Sequence, residues 1–190
     1  MSDPASSRRD SARRQSMRAA YCGMAAALSA ALMLLGGVIP AATYAVPMLC
    51  GLILLPVLLE FDSRAAWITY AAAALIALLM DADKEAAFFY IFLGYYPIIK
   101  WRLDRVKPAV LRLLAKTALF LCSMGLMYGL LALLFPMAAF MRDFGEMGLW
   151  MTVLFVLLYV VCMLIYDRLL LPMAMIYMNR IRPRLRFLKR

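Results

Sequence analysis

Residues 19–59 form a run of 41 residues without a single charged side chain. A helix rises about 1.5 Å per residue, so about 20 residues cross the roughly 30 Å hydrocarbon core of a bilayer. The run is therefore long enough for two crossings, with Gly36, Gly37 and Pro40 marking the turn between them. Further apolar segments occupy residues 65–80, 86–99, 117–141 (interrupted at Pro136) and 147–166, which makes six candidates. A chain of 190 residues that is 66% hydrophobic and 17% charged, with mean hydropathy +0.82, has more apolar surface than one soluble core can hide. The expected fold is an all-α integral membrane bundle.

The number of crossings turns on residues 86–99, a 14-residue segment about 21 Å long as a straight helix. Length alone suggests a re-entrant or interfacial piece. The distribution of bases argues the other way. If the segment crosses, six spans result with both termini cytoplasmic, and 19 of the 21 Lys and Arg lie inside, leaving only Lys84 and Arg142 outside. If it does not, 7 lie inside and 14 outside. Positive charge is retained on the cytoplasmic side, so a six-helix bundle with a short fourth span is expected. Pro97 removes a backbone donor and clashes with the preceding turn, so a kink near residues 94–97 fits, as does a frayed helix end.

Around this six-span domain, placed at residues 19–178, residues 1–18 read as a disordered basic arm and residues 179–190 as a basic cytoplasmic tail. Arg8, Arg9, Arg13, Arg14 and Arg18 imitate a secretory signal, but the apolar run is too long and lacks a small-residue cleavage site, so an uncleaved first span is expected. Residues 13–17 lack the apolar residues that follow a twin arginine in an export signal. Beside a membrane exit, the basic tail reads as an anchor on anionic lipid and not as a nucleic-acid site.

The chemistry available to the chain is narrow. It has no His, and Cys22, Cys50, Cys122 and Cys162 lie scattered in apolar segments, so neither a disulfide framework nor a metal site is indicated. Phosphate-binding and nucleophile-elbow motifs are absent, and an enzyme is not expected. The first five spans carry no central ionisable residue, which disfavours a self-sufficient secondary transporter. Asp167 and Arg168 are the exception: either the last span ends at Tyr166 and an interfacial tail follows, or a long tilted helix carries the pair. A helix emerging at the inner interface with a bend at Pro172 is expected.

Small residues recur at four-residue spacing, which lets helices approach closely where lipid is as apolar as they are. In the first span Ala19, Gly23, Ala27 and Ala31 form one row and Ala26 and Ala30 a second; Gly125 and Gly129 repeat the pattern in the fifth span. One first-span row can pack internally while the other is free, and packing within the monomer accounts for either.

Chain length, six spans, cytoplasmic termini and the Ala-x-x-x-Ala pairs Ala26–Ala30 and Ala27–Ala31 resemble the substrate-binding S components of energy-coupling factor (ECF) transporters. The stretch EAAFFYIFLGYYPIIKWRLDR also resembles a segment of S-component-like proteins of Gram-positive bacteria. The resemblance implies a bacterial cell-membrane capture subunit that binds a small molecule from outside, without a cofactor. It also implies a transmembrane coupling subunit driven by paired ATPases, facing Ala26, Ala27, Ala30 and Ala31. The nickel and cobalt members carry a His-bearing site that this chain lacks, so that substrate class is excluded. A rival reading is a scaffold of the rod-shape cell-wall machinery, which holds partners and binds no ligand.

The six-span topology gathers Asp81, Asp83, Lys84 and Glu85 with Arg142, Asp143 and Glu146 at the external face, above Phe88, Phe89, Tyr90, Tyr128 and Trp150. Rings there can enclose a small heterocycle while the charges orient its polar groups. Five acids against two bases favour a cationic or hydrogen-bond-donating ligand. The same residues also fit solvated loop charges and interface aromatics.

Overall fold

The computed structural model describes residues 4–37, 42–80, 83–134 and 148–184, and every element among them is helical. The α-helices among the described residues are, in order, α1 (Pro4–Gly36), α2 (Ala45–Glu60), α3 (Ser63–Met80), α4 (Lys84–Leu93), α5 (Tyr96–Leu103), α6 (Ala109–Leu134) and α7 (Gly148–Ile176). A π-helical turn at Tyr177–Ile181 and a 3-10 turn at Arg182–Arg184 continue α7. Four stretches, Ala12–Gly36, Ser63–Met80, Ala109–Leu134 and Trp150–Ile181, are long and apolar enough to cross a membrane, and α2 is a shorter apolar helix of 16 residues. The protein is an all-α membrane bundle.

Small residues set the packing of its first half. Ala25, Ala26, Ser29, Ala30 and Met33 of α1 are buried, as are Ala65, Ala66, Ala73, Ala74 and Ala77 of α3, and the two helices pack together with α2 beside them. Backbones close together through such small side chains gain dispersion contacts that lipid cannot match. α1 itself begins at Pro4, so residues 4–18 extend the first span as helix where a disordered arm was expected. The span supplies the nucleus, and Ala, Arg, Gln and Met propagate it with little loss of side-chain freedom.

The short fourth segment is broken, not merely kinked. Gly94 N–H bonds the Tyr90 carbonyl at 2.7 Å and closes α4, and Ile98 N–H bonds the Tyr95 carbonyl at 2.9 Å at the start of α5. Pro97 has no N–H for the Leu93 carbonyl, so the ladder cannot run through. A β-carbon at residue 94 would lie 2.6 Å from the Tyr90 carbonyl oxygen, which restricts the position to glycine. Interrupted backbone at membrane depth is tolerated only where protein shields it. No residue from 83 to 101 is exposed, because α2, α3 and α6 surround this segment. Its shortness therefore has a packing explanation.

α7 does not end at Tyr166, nor does it leave the bundle at Asp167. It runs unbroken to Ile176 with Pro172 inside it, and Met163, Tyr166, Asp167, Leu170, Ala174 and Tyr177 make one buried stripe. Asp167 can stay in the bundle because cations of neighbouring helices meet it there.

Candidate functional site

At the end of the bundle where α4 begins, Asp83 caps the helix. Its Oδ1 accepts the Ala86 N–H at 3.2 Å, and its Oδ2 accepts the Thr43 hydroxyl at 2.7 Å, which ties the start of α4 to the segment preceding α2. The cap places Glu85 in the first turn, where the helix dipole favours a carboxylate. Two hydroxyls converge on that carboxylate. Tyr44 donates to Glu85 Oε1 at 2.6 Å and Tyr128 of α6 donates to the same oxygen at 2.8 Å, with the two phenol oxygens 3.2 Å apart. Glu85 Oε2 receives no hydrogen bond from the described residues. Burial first, and the Glu85 carboxylate second, push the Tyr44 hydroxyl up to about 12, so it remains a donor at any physiological pH.

Aromatic rings close one side. Phe89 stands edge-on to Tyr44 with centroids 5.3 Å apart and to Tyr159 of α7 at 6.3 Å. Phe88 is buried in the same apolar cluster. The arrangement can accept a hydrogen bond or pair with a cation at Glu85 Oε2, against rings whose faces favour positive charge.

The structure thus brings Asp83, Glu85, Phe88, Phe89 and Tyr128 together. Tyr90 instead lies on the α1–α3 side, with its ring 5.6 Å from Tyr70. Successive residues of a helix point 100° apart, so Phe89 and Tyr90 cannot serve one pocket here. Trp150 is 85% exposed near the start of α7 and joins neither core cluster, which removes it from the ring wall. Asp81 and Arg142, with Asp143 and Glu146, lie outside the described residues. Thr43, Tyr44 and Tyr159 are additions. The break between the first two spans was the signal for Tyr44, since it sets residues near 44 at the same end as Asp83.

The expected partner face divides in two. Ala26 and Ala30 are each 6% exposed and packed in the core, so they cannot meet a partner, whereas Ala27 and Ala31 are exposed in line with Ala19 and Gly23. The rows lie 100° apart on α1, and α3 covers only one of them. Beside the free row, an open groove of about 580 Å³ runs between α1 and α2, lined by apolar side chains including Met24, Leu28, Leu49 and Ile53. It is separate from the Glu85 site.

A second polar centre lies toward the other end. Asp167 of α7 accepts from Tyr96 of α5 at 2.5 Å, from Lys100 of α5, and from Lys116 of α6 at 2.7 Å. Asp104 pairs with Lys116 at 2.6 Å and with Lys100 at 3.4 Å. Lys100, Lys116 and Asp167 are at most 5% exposed, so two cations and two anions balance within one mostly dry junction. Among the described residues, no His, Cys, Asp and Glu group could hold a metal ion. No protein-family model, curated protein or solved structure matches this chain.

Proposed function

We propose that this protein is the substrate-capture subunit of an ATP-driven uptake system of the ECF type in a bacterial cell membrane. It takes a small cationic or hydrogen-bond-donating molecule at the Glu85 end of the bundle and docks on a transmembrane coupling subunit. The observation that carries this reading is the Glu85 carboxylate, oriented through Oε1 by Tyr44 and Tyr128 while Oε2 receives no bond from the described residues. Holding one oxygen fixed with two neutral donors pre-organises the other for a ligand.

In this reading α4 and α5 together make the fourth of six crossings. The two helices, 10 and 8 residues long, and the two residues that join them span 84–103, which at about 1.5 Å per residue approaches the roughly 30 Å thickness of the hydrocarbon core. The distribution of bases then sets the Glu85 end outside and the Lys100 end toward the cytoplasm. The exposed row Ala19, Gly23, Ala27 and Ala31 serves the coupling subunit. Affinity purification in mild detergent, with mass spectrometry of both proteins and small molecules, tests the assignment. A stoichiometric small molecule with a coupling subunit and ATPases supports it. Recovery of cell-wall or division proteins with no bound compound replaces it with the scaffold reading.

A further inference from the structure

We infer that Arg112 and Arg168 form a binding site for the phosphate of an anionic phospholipid, beside the buried ion cluster. Every acid at that level is already engaged: Asp167 by Lys100, Lys116 and Tyr96, and Asp104 by Lys100 and Lys116. Arg168 directly follows Asp167 on α7, and Arg112 is one turn before Lys116 on α6. The 2.7 Å Lys116–Asp167 pair therefore holds both arginines beside one helix junction. Neither guanidinium makes a hydrogen bond or ion pair with any described residue.

Their surroundings are apolar and open. Ile165, Leu169 and Leu171 are exposed around Arg168, and Val110, Leu111, Leu113 and Leu114 around Arg112. An uncompensated guanidinium on a lipid-facing surface needs an anion, and its planar fork matches two phosphate oxygens at once. The exposed leucines offer the acyl chains a seat beneath the headgroup, which identifies the phosphate as part of a lipid.

Asp167 stands ten residues before Tyr177, which bonds Glu60 at the end of α2, so Arg168 sits about 14 Å along α7 from that contact, whereas Arg112 lies in the first turn of α6. At the α2–α3 turn Glu60 pairs with Arg182 and Asp62 with Arg18, so both acids there are engaged as well. At the α5–α6 turn Arg102, Arg105 and Lys107 are exposed and add further positive charge. The headgroup layer meets Arg112 at the start of α6 and must dip along α7 to reach Arg168, where anionic headgroups gain most.

The test uses the full-length chain, stripped of native lipid in mild detergent and titrated with phosphatidylglycerol or phosphatidylcholine under native mass spectrometry. Wild type is expected to retain one phosphatidylglycerol in preference to phosphatidylcholine. The preference should fall roughly fivefold in either Arg112→Gln or Arg168→Gln and by roughly 25-fold in the double variant. Arg168→Lys should retain part of it, because the charge stays and the bidentate fork is lost. Should the double variant not accumulate, the two single variants carry the same readout. Equal retention of both lipids by wild type, or undiminished preference in the Gln variants, overturns the site. Displacement of the lipid by millimolar inorganic phosphate overturns the lipid assignment in favour of a free-anion site.

Discussion

Lys116 and Asp167, separated by 51 residues in sequence, stand 2.7 Å apart in the bundle interior and join α6 to α7. The pair is unequal. Asp167 also binds Lys100 and Tyr96, whereas Lys116 has, among the described residues, one other ionic partner, Asp104. Removing the carboxylate strands two lysines beside a single Asp104. Removing Lys116 leaves Asp167 with a cation and a hydroxyl.

Asp167→Asn should therefore destabilise more than Lys116→Met, by about 3–5 kcal/mol against a smaller loss, since breaking a buried pair leaves uncompensated charge. Thermal unfolding in detergent reads the difference. Equal losses, or a larger loss for Lys116→Met, would show that the cluster is not organised around Asp167.

Tyr44 offers a test of the Glu85 site independent of any ligand. Its hydroxyl is raised from the ordinary 10.0 to about 12 by burial and by Glu85, so the folded state keeps the proton that an unfolded chain releases. Its contribution to stability is complete below pH 10 and is lost as pH rises through about 12. The tyrosinate absorbance of wild type minus Tyr44→Phe should show a transition near pH 12. In Glu85→Gln that transition should move down, because the neighbouring negative charge is gone. A transition near pH 10 in wild type would remove the Tyr44–Glu85 bond.

Tyr90 and Ser29 carry buried hydroxyl oxygens with no hydrogen-bond partner among the described residues. A buried polar group left unpaired costs about 1–3 kcal/mol, so Tyr90→Phe should leave the melting temperature unchanged or raise it by a few degrees. A clear fall would mean that the hydroxyl is bonded, with the neighbouring Ser29 hydroxyl as the first candidate.

Orientation follows from single cysteines on a background lacking the four native ones. Exposed positions are used so that the ion cluster and the α4 cap stay intact. Met80→Cys should label from outside intact cells, and Arg64→Cys and Lys107→Cys only after permeabilisation. External labelling of Lys107→Cys with protection of Arg64→Cys would make α4–α5 a segment that does not cross.

The bundle was legible because membrane helices declare themselves by apolar length, and the break at residues 94–97 because Gly94 and Pro97 each act on the backbone locally. The partner of Asp167 was not legible. Lys100 and Lys116 lie 67 and 51 residues away, and the sequence shows them only as two bases of one basic stretch. Ala26–Ala30 and Ala27–Ala31 carry the same residue and the same spacing, so only the position of α3 decides which pair is covered. Tyr90 and Phe89 are adjacent in sequence, yet the helix turns them to different clusters.

The most direct test of the capture-subunit account is the small molecule retained by purified wild type and by Glu85→Gln, quantified by mass spectrometry. The account predicts a near-stoichiometric compound bearing a cationic or hydrogen-bond-donating group in wild type. In Glu85→Gln, yield and partner recovery should be unchanged while affinity falls roughly tenfold or more, as expected for a lost charged hydrogen bond. Wild type that retains no compound, or a Glu85→Gln protein that retains it with equal affinity, would contradict the account.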